Sequence, residues 1–470
     1  MTRKQFRHDM RRGLGSCLLE MERCTNIENY REEVLWGLQY ALAYDPQCEG
    51  TRAIYFHDII SLFDDQTAFY EFVADGAKRS IKNDTRRFTH FMDILALMAG
   101  DGYAPAQQEM AGLYELLLQA IRTGRTSGNR IWPATDHFGF LCVETLTNAL
   151  LTQAERETFF LRVLTDYGKL IQERPDLSIR FEDEWFEHEA AEHLGKERVE
   201  ALFKAAKGNP DIARYLENRD EIKAVCESNQ AERLSVLKEQ TETETAQSLY
   251  EKLRAGEPVP IFILNRIVRE RGMEEAVKLG RLYAKEERDD LREGILRLFF
   301  MGDSVSALGE EELARLMLDA ESEKESLREE ALRVIGKAHG ECVRSFALRR
   351  LKQKPRDGDA ILILLNNFRP GDGTRLIRLV KSVSLNEHYG DWHSVFSAVR
   401  DLIEQNPEAD RELSAALLPY ILREGYCSCC RLYTLRLMQP RGLLTQELIE
   451  ECRRDCYLEI REFIEKTVEI

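Results

Sequence analysis

The residues best equipped for chemistry lie in three stretches. In Trp185-Phe-Glu-His188-Glu-Ala-Ala-Glu192-His193, His188 and Glu192 are four apart, as are Glu189 and His193. On a helix each pair shares a face, and imidazole with carboxylate is a usable donor set for a divalent metal. The His-Glu-x-x-x-His spacing is one residue longer than the His-Glu-x-x-His of zinc proteases, whose imidazoles must sit one turn apart. That departure removes the protease reading and leaves helix-surface ion pairing as the expectation. The tail holds Cys427-Ser-Cys429-Cys430 and Cys452-x-x-x-Cys456. Thiolates converging from adjacent helices would hold zinc. A helix, however, turns the sulfurs of Cys427, Cys429 and Cys430 to different faces, so small buried hydrophobes are expected, as is usual for free cysteine. The connection 123–136 carries Trp132-Pro133 and Asp136-His137 and is the longest aperiodic one in the first half. Loops of that kind often carry function; the simpler reading has Thr135 or Asp136 capping the next helix and Trp132 packing over its first turn.

No glycine-rich phosphate loop, dinucleotide fingerprint or nucleophile elbow occurs, which disfavours an NTPase, a nicotinamide enzyme or an α/β hydrolase. No catalytic residue is assigned and no cofactor is expected. An enzyme would have only the residue types at His188/Glu192 or Asp136/His137 in its favour.

Charge is more informative than motif. The chain has 470 residues and a formal charge of −16, so bulk attraction to nucleic acid or to an anionic membrane is not expected. Yet between Arg344 and Lys381 ten basic residues (Arg344, Arg349, Arg350, Lys352, Lys354, Arg356, Arg369, Arg375, Arg378, Lys381) face three acids (Asp357, Asp359, Asp372), a local net of +7. Such a run serves either as an anion-binding surface or as the complement of the acidic stretch before it, Glu310 to Glu330; exposed mixed charge favours the second. Beside the run stands Asp391-Trp392-His393, where Trp392 either stacks on a base or opens a helix with Asp391 near its N-terminus.

Helices must position all of these groups. Apolar residues recur at helical spacing along nearly the whole chain, as at Val34, Leu35, Leu38, Ala41 and Leu42, and β-branched alternation is nowhere sustained. Apolar runs such as Ile361–Leu365 fall far short of the roughly 20 residues a membrane span needs. The basic start, with Phe6, Met10, Leu14, Cys17, Leu18 and Met21 on one face, reads as an ordinary docked helix. Eleven scattered cysteines without a secretory signal point to reduced thiols in a cytoplasm. The divisions expected are an all-helical amino-terminal domain (1–222), a polar helix or linker (223–247) and a repeat domain (248–470).

Within the last, Leu291-Arg-Glu-Gly-Ile-Leu-Arg-Leu-Phe299 returns 36 residues later as Leu327-Arg-Glu-Glu-Ala-Leu-Arg-Val-Ile335, and a looser copy runs from Val343 to Leu351. From Glu274 onward the helices pair into six hairpins of roughly 30 to 40 residues, the period of HEAT and armadillo units. These Leu-Arg-Glu-x-Ala/Ile-Leu-Arg helices resemble HEAT-type helices. The resemblance implies an α-solenoid of antiparallel hairpins in which leucine and alanine fill the stack and an arginine or acid ties neighbouring units; the first half is either divergent repeats or a separate helical domain. The function it implies is a non-catalytic scaffold or adaptor with a protein partner. HEAT-like proteins also include DNA-binding glycosylases with a basic concave face, which makes nucleic acid the alternative partner, met by Arg344, Arg349, Arg350, Lys352, Arg369, Arg375, Arg378, Lys381 and Trp392. The sequence does not specify an oligomeric state.

Overall fold

Helices begin where the sequence supplies a side-chain acceptor. Thr152 accepts from the amide of Glu155 and Glu155 accepts from the amide of Thr152, a capping box that opens Gln153–Glu173. Asn406 accepts from the amides of Glu408 and Ala409 at the head of Pro407–Glu424, whose first residue is the proline that suits that position. The computed structural model describes residues 1–81, 84–124, 132–175, 183–299, 302–385 and 392–468. Among these residues all regular structure is helical and there is no strand. None of the described helices is long and apolar enough to cross a membrane.

The chain forms two compact units that do not follow chain order: Met1–Glu227 with Tyr426–Leu432 and Leu444–Ile470, and Ser228–Gly425 with Tyr433–Leu443. In the first, Thr85–Gly100 packs against Ala53–Ile60, Thr67–Ser80, Ala104–Thr123 and Trp132–Glu144. It buries Phe88, Phe91, Met92, Ile94, Leu95 and Met98, residues that point around most of its circumference, as a central helix requires. Each large apolar side chain so buried contributes about 1.5–3 kcal/mol.

The same unit takes in the end of the chain. The amide of Cys456 donates to the carbonyl of Gly13 at 2.9 Å. Gly13 sits at φ 67, and a Cβ there would lie 2.1 Å from Cys456 Sγ, so both conformation and approach demand glycine. Arg454 pairs with Glu22 and Arg461 with Asp58, each at 2.8 Å. Beneath them Arg431, with no exposed surface, donates to Asp455 at 2.7 Å and to the carbonyl of Arg12.

The second unit repeats one packing rule. Ala246–Ala255 packs on Glu274–Lys285, that helix on Glu310–Asp319, and that one on Glu341–Gln353. A parallel series runs Asp289–Phe299, Glu325–Ile335, Gly358–Asn366 and Trp392–Gln405, while Glu310–Asp319 also packs on Glu325–Ile335 and Glu341–Gln353 on Gly358–Asn366. The two sequence copies behave alike in detail. Arg292 donates to the carbonyls six and five residues before it, of Glu286 and Glu287, and Arg328 to those of Ser322 and Glu323, at the same two offsets. Each arginine thus folds back on the turn before its own helix. Between consecutive hairpins Tyr250 donates to Glu286 and Tyr283 to Asp319, both 36 residues on. Glu293 accepts from Ser326 and pairs with Lys324 of the next hairpin.

The polar segment 223–247 is largely helical: Pro210–Thr243 is one helix of 34 residues, and Thr245 caps the next. Its middle is solvated on nearly every side, with Leu234 and Val236 about half exposed.

Candidate functional site

The basic stretch occupies Glu341–Gln353, the turn that follows it, the turn before Gly373–Ser382, and that helix itself. The structure divides it into two groups. In the first, Arg344 is buried and grips Asp372 with both terminal nitrogens, at 2.7 and 2.8 Å, while also donating to the carbonyl of Asn367. A fork-to-fork pair of this kind is the strong form of a charge-assisted bond, and Asp372 is correspondingly held below the usual carboxylate range: Arg344 and the amide of Arg369 outweigh the opposing effect of burial. Arg350 pairs with Asp357 at 2.8 Å and reaches the carbonyl of Ala320. Arg349 pairs with Glu321, and Arg369 with Glu341. Three of these ties, Arg344 to Asp372, Arg349 to Glu321 and Arg369 to Glu341, span the same 28 residues. They join neighbouring hairpins.

The second group is Lys352, Lys354, Arg356, Arg375 and Arg378. All five are exposed, and none makes an ion pair with a carboxylate among the described residues. Arg375 and Arg378 lie one turn apart on Gly373–Ser382. Lys381 stands 5.5 Å from the ring centroid of Tyr420, a cation–π contact.

Trp392 belongs to neither group. It is fully buried, edge-on to Phe396 at 5.7 Å, and fills the core of its unit, so it offers no ring on which a base could stack. That correction follows from its place as the first residue of an amphipathic helix. Asp391 lies outside the described residues, as do residues 125–131 of the long connection and the side chains of Trp132, Thr135 and Asp136. His137 is described: fully buried and stacked on Phe88 at 4.3 Å, it sits in the core.

On Asp183–Leu194, His188 meets Glu192 at 3.3 Å and His193 meets Glu189 at 3.9 Å. His188 and Glu192 are both more than half exposed, which is the geometry of surface pairing. In the tail, Cys427 and Cys430 come together at the start of Ser428–Met438, where the amide of Cys430 donates to Cys427 Sγ at 3.4 Å. Cys429 turns away to the hydroxyl of Tyr457 and the carbonyl of Cys48. The expectation that all three sulfurs turn to different faces is thereby corrected for this pair: its spacing is Cys-x-x-Cys, and residues three apart share a helix face. Both are buried, and the side-chain contact with the Cys430 thiol together with burial pushes the Cys427 thiol far up, against the opposing donation from the Cys430 amide. Because the thiolate is the reactive form, a thiol-specific reagent is expected to label the exposed Cys48, Cys226 and Cys342 within minutes and to reach Cys17, Cys142, Cys427 and Cys430 only on unfolding. Mass spectrometry of the labelled native protein checks this, and early modification at Cys427 would contradict it.

What fold and geometry define is an all-helical protein of paired helices whose second unit carries a divided basic stretch. No protein-family model and no curated protein matches the chain.

Proposed function

We propose that the protein is a non-catalytic interaction scaffold, a HEAT-like solenoid in its second unit, that works in the cytoplasm and holds an acidic segment of a partner protein. The observation that carries this reading is the division of the basic stretch. Arg344, Arg349, Arg350 and Arg369 are engaged in tying helices together, whereas Lys352, Lys354, Arg356, Arg375 and Arg378 remain exposed without a carboxylate partner among the described residues. Five exposed cations on consecutive hairpins suit carboxylates presented along an extended chain. The −16 net charge opposes a long polyanion at a distance, and burial of Trp392 withdraws the aromatic ring that a nucleic-acid surface would use.

Fluorescence anisotropy separates the readings, using a labelled glutamate-rich peptide and a mixed-sequence oligonucleotide in parallel over a salt series. The peptide is expected to bind at low salt, and Arg375→Glu with Arg378→Glu to weaken it at least tenfold with no change in melting temperature, since both side chains are exposed. Tighter binding of the oligonucleotide would replace the acidic-peptide reading with the nucleic-acid one. No binding of either ligand would end both.

A further inference from the structure

The first unit contains a cleft of about 490 Å³ that the basic stretch does not involve. Its walls come from the segment 48–54, from Asp93 and Leu97 of the central helix, from Glu144 and Asn148, and from residues 456–462. Five carboxylates line it, those of Glu49, Asp93, Glu144, Glu459 and Glu462, and no lysine, arginine or histidine does. Between the acids the surface is apolar, from Ala53, Ile54, Leu97 and Leu458. The volume lies within the roughly 300–1,000 Å³ of small-molecule sites.

Acids alone would not define a site. Here two carboxylate oxygens are also left without a partner. Glu49 is 8% exposed; its Oε1 accepts from the amide of Asp45 at 3.0 Å, and its Oε2 is shielded from solvent and meets no donor. Asp93 Oδ2 takes the hydroxyl of Thr51 at 2.5 Å, and its Oδ1 is likewise shielded and unbonded. A carboxylate oxygen in that position is destabilised relative to one that is solvated or paired. Two buried cations have fields that reach this region: Arg431 is already bonded to Asp455 and the Arg12 carbonyl, and Arg52 to the carbonyls of Arg11 and Tyr426.

We propose that this cleft binds an organic polycation, ammonium groups joined by an alkyl chain, with Glu49, Asp93 and Glu144 receiving the inner ammonium, Glu459 and Glu462 the outer one, and Ile54, Leu97 and Leu458 the methylenes between. An ammonium brings three donors and no acceptor, which matches a set of acceptor-only oxygens. A bare divalent ion fits less well, because the apolar wall would contribute nothing to it. Burial and the facing Glu144 push Asp93 far up, against the hydrogen bond from Thr51, and burial with the charge of Glu189 raises Glu144, against Asn148. A bound cation reverses that balance and expels protons.

The test is titration calorimetry on the full chain with spermidine, putrescine and magnesium chloride at matched ionic strength, near neutral pH, in two buffers of different ionisation enthalpy. Spermidine is expected to bind saturably at one site with proton release. Glu49→Gln and Glu144→Gln should each weaken it at least tenfold. The exposed rim change Glu459→Gln with Glu462→Gln, which leaves the core untouched, should weaken it severalfold and abolish the preference for spermidine over putrescine. Magnesium binding as tightly as spermidine, with the same sensitivity to the variants, would make this a metal site and overturn the proposal. So would spermidine binding that is absent, or indifferent to both the inner and the rim changes.

Discussion

Replacing Asp455 by alanine is expected to cost about 3–5 kcal/mol, the range for breaking a buried ion pair from one side, and to lower the melting temperature by on the order of 10 °C. Arg431 has no exposed surface, and its charge is satisfied by the Asp455 carboxylate at 2.7 Å and the carbonyl of Arg12. Burial works against that charge, and Asp455 more than restores it. Without Asp455 the guanidinium stays in the core with no counter-charge, because arginine does not give up its proton. The cost comes from the orphaned partner, so Arg431→Met combined with Asp455→Leu should recover most of it, as apolar replacement of a whole buried pair often does. Arg454→Ala provides the contrast: its pair with Glu22 is about one-third exposed at both ends, and an exposed pair is worth less than about 1 kcal/mol. Urea unfolding of the four proteins measures all of these terms. An Asp455→Ala loss no larger than that of Arg454→Ala would mean that the pair does not hold the end of the chain to Arg12 and Gly13.

What the sequence made legible was local or periodic. The copies at Leu291 and Leu327 are visible as text, and their arginines make the same two backbone bonds because each is the fourth residue of its helix. The basic run was visible as composition. Its division was not, since whether Arg344 is buried or Lys352 exposed depends on Asp372, Glu321 and Glu341 in neighbouring hairpins. The common separation of 28 residues is the signal that would have paired them, and it is masked in the sequence because the helical copies recur at 36. The acidic cleft left no local trace at all. Glu49, Asp93, Glu144 and Glu459 come from four distant segments, and each alone is an unremarkable surface acid; only the return of the tail to Gly13 and Asp58 brings residues 456–462 into the first unit's wall. Helical periodicity reports which face of a helix is buried, and says nothing of which distant helix covers it.

His90→Phe is expected to make the protein less sensitive to acid. His90 is 2% exposed, between Phe56 and Phe91, and neither ring nitrogen has a hydrogen-bond partner. Burial, helped by Arg52 and Arg86, holds its pKa down to about 3, and burial holds that of His137 down to about 4. The unfolded chain takes up each proton near 6.5, so below that pH it binds more protons than the folded chain does, and stability falls. The contribution is complete above about pH 6.5 and is lost progressively as the pH drops toward the folded values. At pH 4.5 the loss is about 2–3 kcal/mol for each histidine, two pH units at 1.36 kcal/mol each. Asp93 and Glu144 act with the opposite sign, because their raised pKa values let the folded state take up protons before the unfolded one. The parent's net slope is therefore a sum, and the difference between parent and variant isolates His90. Chemical unfolding at pH 7 and pH 4.5 should show His90→Phe losing about 2–3 kcal/mol less than the parent between the two, with neutral stability kept, since phenylalanine fills the same apolar site without an unbonded nitrogen. Equal losses in the two proteins would mean that the native His90 ring accepts its proton as readily as the unfolded chain, and that the core between Phe56 and Phe91 admits water.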